Sequence, residues 1–141
     1  MRYSTALAFW GLAASSTCLA VESAPHLLLA KLASLAGSNS RDCGSVALHG
    51  DAVGAMKCAK DATAAVTPYV VSFQLESADS IIWQGAAQDA HGKVWMLFYD
   101  SGSTTSGESA SPTFSVLPCK AMRFVAKGGE FLDCEPVSGE H

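Results

Sequence analysis

Pro68 divides the chain into two hydrophobic periods, and that division constrains the fold more than any other feature of the sequence. Before it, apolar residues recur at helical spacing. In "SAPHLLLAKLASLAG", Leu28, Leu32 and Leu35 fall on one face, with Pro25 in the first turn and Gly37 as the stop, so a short helix is expected. A second helix opens at Gly50-Asp51, where Asp51 can accept from the free amides of the first turn. Its apolar stripe is Ala52, Met56, Ala59, Thr63 and Val66, with Lys57, Lys60 and Asp61 on the other side. The intervening "SNSRDCGS" has the Ser, Asn, Asp and Gly content of a loop.

After Pro68 the period becomes two, as half-buried strands require. Tyr69, Val71, Phe73 and Leu75 alternate with polar or smaller neighbours; Ile81, Trp83, Gly85 and Ala87 share one face; and Val94, Met96 and Phe98 alternate with Trp95, Leu97 and Tyr99. His91-Gly92 reads as a tight hairpin turn. "PTFSVLP" reads as a strand with Phe114 and Val116 inward, and "CKAMRFVAKGGEFLDC" as a last hairpin turning near Lys127-Gly128-Gly129. The predicted architecture is α+β: one or two helices on one face of a four- to five-stranded antiparallel meander.

Register decides which aromatic residues are core, because a slip of one residue turns every side chain over. A two-residue turn at His91-Gly92 sets Gly85 opposite Phe98 and Ala87 opposite Met96, small against large. An odd loop after Leu75 sets Phe73 opposite Trp83 and Val71 opposite Gly85. Trp83, Met96 and Phe98 then point to the second helix. The reverse face carries Ser72, Gln74, Gln84, Ala86, Gln88, Trp95, Leu97 and Tyr99. If the Leu-rich helix or the last hairpin covers that face, its rings are ordinary core. If it is open, amides interleaved with Trp and Tyr suit recognition of a protein or a glycan. Gln84, Gln88, Trp95 and Tyr99 are the candidate contact residues.

The first twenty residues, "MRYSTALAFWGLAASSTCLA", run from one basic residue through an apolar stretch to small residues, the order of a secretory leader cleaved before Val21. The remainder, 21–141, is expected as one exported domain, secreted or periplasmic, with a Gly/Ser-rich loop at 101–111, a loose tail at 135–141 and no stable membrane span. Cys18 leaves with the leader. Cys43, Cys58, Cys119 and Cys134 remain, an even set that in an exported chain reads as disulfides. The local pairing Cys43–Cys58 and Cys119–Cys134 is favoured, since each pair brackets one supersecondary element. The cysteines form no CxxC pair and have no histidine at ligand spacing beside them, which argues against zinc.

A net charge of −4 with only nine Lys and Arg, scattered along the chain, argues against nucleic acid as a partner. Candidates for chemistry are few. His49-Gly50-Asp51 could pair a base with a carboxylate, but adjacent residues seldom reach that geometry and Asp51 is better used at a helix start. Asp79, Asp89 and Asp100 sit at turns, and "KGGE" lacks the rest of a phosphate-cradling motif. No catalytic set, metal site or cofactor is expected. The reading favoured by the sequence is a non-catalytic binding or inhibitory module, monomeric or weakly dimeric, with an unknown protein or glycan partner. A structural accessory of the cell envelope and a small secreted hydrolase are the alternatives.

Overall fold

The computed structural model describes residues 24–102, 111–127 and 129–138. The predicted leader, most of the 101–111 loop and the last residues of the tail lie outside the described residues. Helix α1 (His26–Ala36) buries Leu28, Leu32 and Ala36, one residue per turn along a single stripe. Pro25 stands just before the helix, and Gly37 ends it at φ +89°, its amide bonded to Ala33 O. Helix α2 (Val53–Ala64) starts behind Asp51, whose carboxylate accepts from the Val53 amide at 2.9 Å. Ala59 and Ala62 form its buried face, so it can lie close on a sheet. The expected stripe ends early: Val66 lies beyond the helix, at φ +52° and exposed.

Six strands form one sheet in chain order: β1 (Arg41–Val46), β2 (Tyr69–Leu75), β3 (Ile82–Gln88), β4 (Val94–Asp100), β5 (Thr113–Lys127) and β6 (Glu130–Pro136). Strands β2 to β6 are the antiparallel meander that the alternation predicts. Strand β1 corrects the expectation of an all-antiparallel sheet, because it lies parallel to β2 and is joined to it through α2. Its sequence reads as a loop by its Ser, Asp and Gly content, and the strand is irregular there, with Gly44 at φ +99° inside a register shift between Asp42 and Ser45. Long-range bonds make it a strand: Ser45 Oγ meets Ser72 Oγ at 2.7 Å, and Cys43 bonds Cys58 of α2. The second disulfide joins Cys119 of β5 to Cys134 of β6, so both bonds fall on the pairs that spacing favoured. Glu135 and Pro136, expected in the loose tail, belong to β6.

The helices lie on opposite faces of the sheet, not on one. Leu28, Leu32 and Ala36 of α1 cluster with Trp83, Ala87, Leu97 and Tyr99. Ala59 and Ala62 of α2 cluster with Tyr69, Val71, Phe73, Ala86, Val94, Met96 and Leu132. Strand β5 is long enough to pair with β4 through Thr113–Cys119 and then with β6 through the rest of its length. Strand β6 thereby reaches back over β3 on the α2 face, where Phe131 stacks on Phe73 with ring centroids 4.7 Å apart.

Both predicted registers are off by one residue. Leu75 pairs with Ile82, so the intervening loop is even and Phe73 faces Gln84 instead of Trp83. The next connection is longer than a two-residue turn. Asp89 closes it, its amide donating to Lys93 O and its carboxylate accepting from the His91 and Lys93 amides, with Gly92 at φ +78°. Gly85 therefore pairs with Leu97, and Ala87 with Trp95. Together the shifts turn β3 over relative to its neighbours. Trp83 goes to the α1 face, while Gln84, Ala86 and Gln88 go to the α2 face. Met96 and Phe98 stay on the α2 side, as expected. Gly85 has its own reason to face α1: a Cβ there would stand 3.0 Å from Leu32 Cδ1, so its absence lets the helix approach.

Candidate functional site

Strand β3's inversion changes what its amide side chains do. Gln84 is buried, with Nε2 donating to Leu132 O at 2.8 Å and Oε1 accepting from the amides of Leu132 at 2.9 Å and Phe131 at 3.2 Å. It acts as a substitute strand edge for β6. Gln88 is buried too, and its Nε2 donates to Thr67 O and Ala62 O at the end of α2. Gln74 accepts from the Leu48 amide at 3.0 Å. These amides satisfy buried backbone, which is costly to leave unpaired. Gln84 and Gln88 are therefore not available as contact residues. Tyr99 is also buried, under α1 and edge-on to Phe114 at 5.2 Å between centroids. Of the four candidates, Trp95 alone is half open to solvent.

Trp95 stands beside a feature the sequence reading missed. Across β4 and β5, Trp95 pairs with Pro118, Leu97 with Val116 and Tyr99 with Phe114. Helix α1 covers β3 and β4 but stops short of β5, where Phe114 is 40% and Val116 38% exposed. These two residues were expected inward. They lie instead on the α1 face, beside Leu97 and Tyr99, and among the described residues no element covers them. An apolar strip thus runs along β5. At one end a groove of about 450 Å³ is lined by Trp95, Val116, Pro118, Val137 and Lys93. At the other, one of about 420 Å³ is lined by Phe114, Leu27, Ala30 and Lys31. Lys93 Nζ lies 5.2 Å from the Trp95 ring centroid, a cation on an aromatic face. A lysine therefore marks each end of the strip. The alternation of "PTFSVLP" was a signal for it; that β5 lies outside the reach of α1 was not in the sequence.

The residues weighed for chemistry take structural roles. Asp51 and Asp89 hold the amides already described, and Asp100 accepts from the Gly102 amide at 2.8 Å. His49 and His91 are exposed turn residues, and Cys43 is bonded to Cys58. Burial pushes the Tyr69 hydroxyl above the usual tyrosine range, opposed by its 3.1 Å hydrogen bond with Thr63. Among the described residues no group of three or more His, Cys, Asp and Glu is placed to hold a metal ion. No helix among them is long and apolar enough to cross a membrane. Two disulfides suit an oxidising compartment. Comparison with known proteins finds no matching family model, no matching curated protein and no matching solved structure.

Proposed function

We propose that this chain is an exported, non-catalytic binding module that engages a protein partner through the strip along β5, with Trp95 as its anchor. The observation that carries the reading is Trp95 itself: a half-buried indole, fixed in a regular strand and walled by Val116, Pro118 and Val137, with space beside it. Aromatic side chains in pre-formed apolar grooves supply large contact area at low entropic cost and are frequent interface anchors. Lys93 and Lys31 at the two ends favour a partner segment that is apolar at its centre and acidic at its flanks.

A protein suits this strip better than a glycan. Sugar recognition needs side-chain amides or carboxylates around the ring, and Gln84 and Gln88 are engaged on the other face. The test is capture of exported proteins from the source organism by the folded chain and by its Trp95→Ala and Lys93→Glu variants, with thermal unfolding measured on each. Loss of one captured protein by both variants while both remain folded is the expected result. Retention by both overturns the assignment of the strip.

A further inference from the structure

We propose that a cavity at one end of the sheet, between the turn after β1, the end of β2 and the start of β6, binds one neutral sugar residue. This goes beyond the Trp95 reading and stands on other residues. Strands β1 and β2 are parallel, so their carboxyl ends lie together, where the segments leaving such strands diverge and make room for a ligand. The cavity there measures about 150 Å³, and its lining includes Leu48, His49, Gln74, Glu76 and Phe131.

Gln74 carries the proposal. The residue is only 8% exposed, and its Oε1 accepts from the Leu48 amide at 3.0 Å. An N–H can only donate, so the atom facing Leu48 is the oxygen and the other end of the side chain is the NH2 group. That Nε2 has no partner among the described residues. It is not sealed in protein either, since among the described residues no fully enclosed side-chain N or O atom lacks a partner. A buried residue thus presents donors to the cavity that the fold does not use, whereas Gln84 and Gln88 direct theirs to backbone carbonyls.

The groups around it are also unengaged. The side chains of His49 and Glu76 are exposed and make no hydrogen bond or ion pair among the described residues. Phe131 is fixed by its stack on Phe73 and by its amide, which donates to Gln84 Oε1 at 3.2 Å, so one apolar wall is rigid; Leu48 supplies another. This set selects a ligand by exclusion. An anion would meet the Glu76 carboxylate, and a simple ammonium can accept nothing from Gln74 Nε2. A hydroxyl accepts from the amide and donates to the carboxylate. Neighbouring hydroxyls on one ring do both at once, while the ring's C–H face rests on the apolar walls. The volume, about that of five waters, holds a single ring rather than a longer chain.

The experiment is a titration of the folded chain with glucose, galactose and mannose, each free and as the non-reducing end of a disaccharide, followed through the side-chain NH2 resonances of Gln74. Acetate, methylamine and glycine are the charged controls. At least one hexose, in either form, should shift those resonances saturably, and the controls should not. Glu76→Ala removes an exposed carboxylate and should weaken binding by about tenfold or more while unfolding at nearly the parent temperature. Gln74→Glu keeps an acceptor for the Leu48 amide but takes away the free donors, and should have the same effect; should it fold poorly, Glu76→Ala decides alone. No shift with any hexose, equal shifts with acetate, methylamine or glycine, or hexose affinity unchanged in Glu76→Ala overturns the proposal. Neither variant lies on the β5 strip, so none of these outcomes bears on capture of a partner through Trp95.

Discussion

The two faces of the sheet are closed by different means. On the α2 face the cover is tied down: Cys43–Cys58 links α2 to β1, Cys119–Cys134 links β5 to β6, and Gln84 and Gln88 bond the covering segments to β3. On the α1 face, among the described residues, one helix is held by Leu28 and Leu32 over Trp83, Ala87 and Leu97, with no disulfide, and its cover ends before β5. The difference teaches that a face can carry apolar residues throughout and still divide into buried core and exposed strip, depending on where its cover stops.

Trp83→Ala should have the largest effect. Its side chain is fully buried under α1, so the cavity should cost about 3–5 kcal/mol, close to the whole stability of a small domain. Denaturant unfolding, or failure to recover folded chain, reads this. Gln84→Leu comes next. It keeps volume but leaves the amides of Phe131 and Leu132 and the Leu132 carbonyl without partners, at about 2–4 kcal/mol. Hydrogen exchange should show the loss first at Leu132, since β6 loses its substitute edge. A cost no greater than that of an exposed substitution would mean that the α2 face is not tied through Gln84.

These two expectations also show what was legible in the sequence. Both helices, the alternation of β2 to β4 and both disulfides follow from spacing, because each reports local or near-local geometry. Register was not legible, since it rests on the parity of two loops. The one closed by Asp89 gained length from a carboxylate that could equally have served any turn. Gln84 could not be read as buried because its partners lie in β6, far along the chain. Strand β1 was hidden by turn-like composition that long-range pairing overrides. Trp95 was recognised as different from Trp83, although the reasoning that placed Trp83 with Met96 and Phe98 put it on the wrong face.

Smaller changes sharpen the contrast. Removing either disulfide as a Cys→Ser pair should cost about 3 kcal/mol by the chain-entropy estimate, and by similar amounts because both close loops of the same length, separation 15. Melting temperatures of the two double variants check this. Gly85→Ala tests the α1 face, where the new methyl would press on Leu32 at 3.0 Å and should cost roughly 1–3 kcal/mol unless the helix shifts. Thermal unfolding measures the cost, and an unchanged melting temperature would mean that α1 is held loosely enough to yield.

Trp95→Ala should change stability least and function most. The decisive measurement takes melting temperature and partner capture together on this one variant. The account predicts a melting temperature that falls far less than for Trp83→Ala, because Trp95 is only partly buried against the α1-side cluster, with capture lost. A fall as large as that of Trp83→Ala would make Trp95 core, and undiminished capture by a stable Trp95→Ala chain would place the contact surface elsewhere.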